Sequence, residues 1–551
     1  MADILLRFDQ PPETPGLRGE SSEKVELRIG GTSACTVVGR KGTFNIVQEA
    51  EDSIISIGYL SFIESPSVQA TLSDVLRDFH ESSILDLKKR LVGEFVLLVK
   101  KGANIYIFTD CVGVRNVFYS SDGLAVSSSL SLLEDEVKIR RGDLDPYKLT
   151  EYIAMRHVLY PAWLGRSTYH RRIRWLLPYE YLAINLESQG LRVGSVVYDI
   201  DNRKESACPR LADELLSTLA KIMARPEFKD AKVASSLTGG HDSRLVSAVA
   251  RQEFSNLHLR TSVSHISANS RKDIRIAGKI AKKLRIPHDI YRFQPGRDDK
   301  RFVELTEGMA PEYNQTIAPL LDAAGDYALG FGGAFGTELF MPIAWTSFTD
   351  FVQEKIRATQ KILKVDDAFW EMFRQSLDDQ IRSIREHYKL ALPDKQDDIR
   401  LFYMLVTARY GSFILSAFNQ KGYHIDPYGT YPVLVLALQV SHSLWGNHRK
   451  LGGNGLVQKA AMSKINRRIG KVLTHMHSRP MLPLTPATFP RYSFGYTLQL
   501  VQALKSKFVT RLHEPKTSPF PGGTYLSDGW EGAYMKRAAT KYELPLNDEG
   551  K

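Results

Sequence analysis

Cysteine is scarce: Cys35, Cys111 and Cys208 are the only three in 551 residues. A disulfide scaffold is therefore implausible. No stretch approaches the roughly 18 consecutive apolar residues of a membrane span. The start, Met1-Ala2-Asp3-Ile4, lacks the basic flank and long apolar run of a secretion signal. Internal repeats and low-complexity tracts are missing too. These absences lead to the expectation of a cytoplasmic protein with no membrane partner. What is present is ordinary for a globular chain, 43% hydrophobic and 25% charged, and its length calls for at least two domains.

The net charge is +11, with basic clusters at Asn466-Arg467-Arg468-Ile469-Gly470-Lys471, Lys505-Ser506-Lys507 and Arg511. An anionic partner such as nucleic acid and a solvated surface are both compatible with this. Charge alone does not decide between them.

The first 200 residues read as strand-rich. Phe95–Val99 and Ile105–Phe108 are β-branched and aromatic, and a Gly-containing turn at 100–104 joins them, which predicts a hairpin. Further strands are expected at Gly123–Ser127 and Tyr181–Asn185. The polar stretch 199–205 marks a junction, giving domains 1–203 and 204–551. From Leu211 the period becomes helical up to Ala224. Strands are then predicted at 232–237, 257–263 and 287–291, with helices at 243–251 and 271–284 between them. Such alternation means a parallel sheet, with ligands at the carboxyl ends of its strands. The segment 351–388 is long, charged and periodic, hence mostly helical. The fold class is α/β.

The strongest local signal is Ser236-Leu237-Thr238-Gly239-Gly240-His241-Asp242-Ser243-Arg244, between a predicted strand and a predicted helix. Two glycines let the backbone approach an anion closely. Thr238 and Ser243 offer hydroxyls, and the helix start offers N–H groups and its positive dipole end. Asp242 would repel phosphate unless a cation intervenes, which points to Mg²⁺. The competing reading is a polar turn whose Asp242 or Ser243 caps the helix. The Gly-Lys-Ser/Thr ending of a Walker loop is missing.

This segment resembles the Ser-Gly-Gly-x-Asp-Ser loop of enzymes that cleave ATP to AMP and pyrophosphate, with Thr238 for the first Ser. Leu91–Phe95, Thr109–Tyr119 and Arg172–Glu180 resemble the glutaminase-type domain of class B asparagine synthetases. Gly332–Phe340 resembles the second acidic motif of that family, and Ile425–Tyr428 its Val-Pro-Phe segment. The resemblance implies an N-terminal glutaminase-like αββα sandwich and a C-terminal ATP-pyrophosphatase domain, a parallel sheet of the adenine-nucleotide α-hydrolase type with added helices.

Two departures change the expectation. A glutaminase of this type uses a cysteine at position two, where this chain has Ala2. The family's Asn-Gly oxyanion pair would fall near Ile57-Gly58, without the Asn. β-Lactam synthetase and the lasso-peptide macrolactam synthetases share this loss, and the resemblance extends to them. In the second motif, Ala334 and Thr337 stand where the family usually has acids, while Glu338 remains.

The resemblance then implies an ATP-dependent, AMP-forming amide ligase that uses Mg²⁺. Leu237, Val263, Gly332 and Gly333 would hold adenosine. Ser236 belongs to the same nucleotide set, and Thr238, Gly239, Gly240 and Ser243 would bind pyrophosphate. Asp242 and Glu338 would hold the metal. The family's stabilising lysine falls near Asn454, with Lys450 and Lys459 as substitutes. Ser264, Asp273 and Arg409 fall at pocket positions, and His241 fills a variable, loop-packing position. The expected partners are a small-molecule or peptide carboxylate and an amine donor; a partner protein and a homodimer stay open. An RNA-modifying enzyme with the same loop and a dead nucleotide-binding relative are the alternatives.

Overall fold

A computed structural model describes residues 3–7, 23–29, 33–39 and 44–472, apart from 65–66, 124, 189, 264–267, most of 295–313, 341–342, 344, 364, 420–421 and 446–454. Ala2, Ser264, Lys450, Asn454 and the basic cluster 505–511 lie outside the described residues. The chain forms two compact units. The first holds 1–203, 225–227 and 343–435, and the second holds 204–224, 228–342 and 436–551. The expected single boundary after residue 203 is thus replaced by several crossings.

The first unit contains two six-stranded antiparallel sheets. One runs in the order Ile173–Trp175, Phe118–Ser120, Ala125–Ser127, Asp3–Arg7, Ser33–Gly39, Glu23–Ile29. The other runs Gly190–Ser195, Glu180–Asn185, Asn104–Thr109, Phe95–Lys101, Asp52–Gly58, Phe44–Glu49. The expected hairpin is there, with Val99 opposite Tyr106 and Lys101 opposite Asn104. Alternate side chains of both sheets, among them Ile55, Ile57, Leu98, Ile107, Val126 and Leu182, meet in one apolar core. Helix Val68–Asp78 packs on the second sheet and Leu130–Glu136 on the first.

Helix Lys395–Asn419 is long and apolar enough to cross a membrane by length and composition, but 78% of that apolar window is buried. Its Phe413 packs on Phe118 and Trp175 of the first sheet. It is a core helix of this unit. At its carboxyl end lies a buried polar cluster. Glu94 accepts hydrogen bonds from Asn419 Nδ2 (2.7 Å), the Asp426 amide (2.9 Å) and His424 Nδ1 (3.3 Å). Burial pushes the Glu94 carboxyl up to about 8, while Arg115 pulls the other way.

In the second unit, strands His288–Arg292, Leu257–Val263, Val233–Ser236 and Leu329–Phe331 pair in that order, all parallel. Helix Cys208–Met223 starts on Pro209, whose fixed φ suits a first turn. Helices Asp242–Glu253 and Ala268–Leu284 fill the crossovers. Helix Leu456–Gly470 packs against Cys208–Met223 and Asp242–Glu253. This is the mixed α/β organisation with a parallel sheet that the alternating periodicity implied.

Candidate nucleotide site

The turn 237–241 leaves the first strand of the parallel sheet at its carboxyl end and enters helix Asp242–Glu253. Leu237 is pinned to the neighbouring strand: its amide donates to Arg260 O (2.9 Å), and Thr261 Oγ1 donates to its carbonyl (2.7 Å). Beyond it, Thr238 and Ser243 close the turn. The Thr238 amide donates to Ser243 Oγ at 3.1 Å, and the two hydroxyl oxygens are 3.1 Å apart. Only one hydroxyl of such a pair can donate to the other, so one O–H remains for an anion. No side chain caps the helix from the His241 position, and its first-turn N–H groups point out of the helix start.

Gly239 and Gly240 have φ outside the left-handed region, so their value lies in bulk and not in an unusual backbone. The Gly239 amide donates to Asp273 Oδ1 (2.7 Å) and the Gly240 amide to Thr238 Oγ1 (3.2 Å). Asp273, placed in the pocket by resemblance, thus anchors the turn. His241 is buried, in keeping with loop packing. Arg244 is fully buried and holds the turn from behind. It donates to Gly239 O (3.2 Å) and to Val472 O (2.6 Å), and burial alone lowers its guanidinium to about 9.

The second glycine-rich segment follows strand Leu329–Phe331. A β-carbon on Gly333 would fall 2.7 Å from the Ser243 amide nitrogen. Only glycine permits that approach. Phe335 has φ +69, a left-handed conformation unusual for a bulky residue. The short helix Gly336–Phe340 follows and brings Thr337 to the turn, where its hydroxyl donates to Asp242 Oδ2 (2.8 Å). Gln458 Nε2 donates to the other oxygen, Asp242 Oδ1 (2.7 Å). Asp242 is half-buried; burial raises its carboxyl above the ordinary range, and these two bonds oppose the shift. Both partners are neutral.

Leu237 and Val263 are buried and, with Gly332 and Gly333, follow or end three adjacent strands at their carboxyl edge. Ser236 Oγ accepts from Arg260 Nε (3.2 Å). Glu338 is half-buried, next to Thr337 on the same short helix. Lys459 is buried on helix Leu456–Gly470, one residue after Gln458 and hence about 100° around the helix. Arg409 lies in the first unit. It is buried there, donates to Trp163 O (2.7 Å) and Gly165 O (2.6 Å), and stacks on Trp175. Sequence reasoning missed Gln458 and the Arg244 tie, because no local pattern marks residues that meet only in the fold.

The donor set fits Mg²⁺ with pyrophosphate. Asp242 is a half-buried carboxylate whose described partners leave its charge uncompensated, beside a helix start and a hydroxyl pair suited to an anion.

Residues 214–320 match the family model described as asparagine synthase. That segment includes the turn and the first three strands of the parallel sheet. Over that segment the chain is similar to asparagine synthases. No curated protein matches the sequence. Among solved structures, it is similar to glutamine phosphoribosylpyrophosphate amidotransferase from B. subtilis complexed with ADP and GMP, at 13% identity over 48% of this chain and 53% of that one, TM-score 0.20. It is also similar to the U34-tRNA thiolase from Methanococcus maripaludis with its 4Fe-4S cluster, at 12% identity over 36% and 80%, TM-score 0.20. A structure titled as the allosteric regulatory enzyme of purine biosynthesis aligns at 12% identity over 48% and 53%, TM-score 0.20. The chain spans about half the length of the amidotransferase it aligns with.

Proposed function

We propose that this asparagine synthetase-like chain is an ATP-dependent ligase that adenylates a carboxylate and passes the acyl group to an amine, without hydrolysing glutamine. Asp242 carries the reading. It is a half-buried carboxylate beside a hydroxyl pair, with neutral donors on both oxygens, at the mouth of a strand–turn–helix.

A carboxylate oxygen of the substrate attacks the α-phosphorus of ATP as the bond to pyrophosphate breaks. The amine nitrogen then attacks the acyl carbon of the adenylate, AMP leaves, and the amine loses its proton. The turn at Thr238, Gly239, Gly240 and Ser243, with the helix start, receives the departing pyrophosphate. Asp242, with Glu338 nearby, would hold Mg²⁺, which when bound neutralises pyrophosphate charge. Leu237, Val263, Gly332 and Gly333 flank the adenosine. Lys450 or Lys459 offsets charge on the adenylate as AMP leaves.

Glutamine independence has its own support. Ile57, where the family's oxyanion Asn would fall, lies in the core between the sheets. The Cys111 thiol is buried and raised well above the thiol range, and that of Cys208 is raised by burial. Neither has the lowered pKa of a nucleophile. The first unit then serves as a structural or substrate platform. Tailoring of a peptide or other natural product in the cytoplasm, including ring closure, suits a ligase whose amine is not glutamine-derived. ATP–pyrophosphate exchange against a panel of carboxylates tests the function. Exchange that depends on one carboxylate class supports it, and none with any carboxylate despite ATP binding counts against it.

A further inference from the structure

We propose that Gln458 is a positioning residue for the metal-facing carboxylate of the turn, an inference that rests on the ligase reading above. Gln458 is fully buried at the third position of helix Leu456–Gly470, 216 residues beyond the carboxylate it touches. Gly455, at φ +60 and ψ +50, turns the chain into that helix in a left-handed conformation that glycine adopts without penalty. Gln458 Nε2 lies 2.7 Å from Asp242 Oδ1, and Thr337 Oγ1 lies 2.8 Å from Oδ2.

A carboxylate has about four lone-pair directions, two on each oxygen. Thr337 and Gln458 take one on each and fix the plane of the group, so among the described residues one direction on each oxygen stays open to a cation. The chemistry of the clamp matters as much as its geometry. A lysine or arginine in place of Gln458 would orient Asp242 equally well, but its charge would neutralise the carboxylate and oppose a divalent ion. An amide orients without neutralising. Partners of this kind, which touch the ligand and not the metal, typically change metal affinity 10- to 100-fold when removed.

The helix that carries Gln458 is tied to the turn a second time. Asn466 leaves helical geometry at φ −156 and ψ 85, and its Oδ1 accepts from the Ile469 amide to start the last turn. The bend precedes Val472, whose carbonyl receives the buried Arg244 guanidinium, the same group that holds Gly239 O. The helix is thus fastened to the turn through Gln458 near its start and through Val472 just past its end. The orientation of Asp242 depends on a helix far along the chain.

The test uses the full chain with Gln458→Met, which keeps the length but removes the donor, and Gln458→Glu. ATP binding is measured by calorimetry as Mg²⁺ is varied, alongside thermal unfolding. For Gln458→Met the expected result is a Mg²⁺ half-saturation raised about 10-fold or more, a larger effect than any change in Mg²⁺-free ATP binding. Gln458→Glu also loses the donated bond, so its Mg²⁺ half-saturation is likewise expected to shift by about 10-fold or more. A tie that only holds the helix would move the unfolding temperature and leave Mg²⁺ half-saturation alone. Half-saturation within twofold of the unaltered chain in Gln458→Met overturns the inference. If that variant does not fold, half-saturation within twofold of the unaltered chain in Gln458→Glu does so instead. Failure of the ligase reading looks different, because the unaltered chain itself then binds no ATP with Mg²⁺.

Discussion

Gly336 lies so close to Asp242 that a β-carbon on it would fall 2.5 Å from the carboxylate oxygen. The second glycine-rich segment therefore shapes the same group that the phosphate turn presents. Gly336→Ala forces Asp242 to rotate away from Thr337 and Gln458. Overpacking of this kind costs about 1–3 kcal/mol. The expected outcome is a lower unfolding midpoint together with a fall in ATP affinity of about 10-fold, a size typical of disturbed metal-ligand support. Urea unfolding and calorimetry on the same preparations check both.

Asp242→Asn keeps the shape and removes the charge. Either Gln458 turns its amide over to present oxygen to the new NH2 group or Thr337 accepts from it, while the other keeps donating, so both contacts survive. Stability at neutral pH is expected to be unchanged or slightly raised, because a carboxylate that burial disfavours is gone. The dependence of nucleotide binding on Mg²⁺ is expected to disappear. In the unaltered chain, Mg²⁺ binds the deprotonated carboxylate, and the folded group holds its proton above the usual 3.8. Mg²⁺ affinity therefore rises with pH through that raised pKa, and Asp242→Asn removes the trend.

Glu94 makes a prediction about stability alone. Its folded pKa, about 8, lies above the ordinary 4.5. Between those values the folded chain binds more protons at this group than the unfolded chain does. Its contribution to stability is therefore present at low pH and falls as pH rises from 4.5 to 8, by up to about 1.4 kcal/mol per pH unit. Glu94→Gln should flatten the pH dependence of the urea midpoint across that window. An unchanged slope would show that Asn419, His424 and Arg115 already hold Glu94 ionised.

Glutamine should be inert. The chain incubated with glutamine, ATP and Mg²⁺ is expected to release glutamate at the background rate. Ile57→Asn will not restore an oxyanion donor, because residue 57 lies between the sheets with no exposed surface. The buried amide instead lowers stability by about 1–3 kcal/mol. Glutamate release measured in both proteins, with the urea midpoint of the variant, tests the pair.

Local periodicity made much of the second unit legible. Strand 257–263 was expected at the residues it occupies, and helix 243–251 extends to 242–253. The candidate turn was readable because its residues are contiguous and their chemistry is compressed into one strand–turn–helix. The expected helical stretch 351–388 is two helices, Phe348–Gln360 and Asp367–His387. Asp366 caps the second by accepting from the Phe369 amide at 2.8 Å, a stop-and-start signal hidden inside a charged, periodic run. The return of 343–435 to the first unit was not readable, since buried helices of either unit carry the same apolar pattern. Arg409 shows the same limit: a resemblance placed it in a pocket, whereas Trp163 and Gly165, more than 240 residues earlier, bury it. The Asp242 clamp joins residues 242, 337 and 458, and no window along the chain contains all three.

Calorimetric titration of ATP into the full chain, with and without Mg²⁺ and repeated on Asp242→Asn, tests the central claim most directly. The account predicts saturable binding at one site that Mg²⁺ strengthens, with the Mg²⁺ effect lost in the folded variant. A folded, unaltered chain that takes up no ATP in the presence of Mg²⁺, or one whose binding is the same with Asn at position 242, would contradict it.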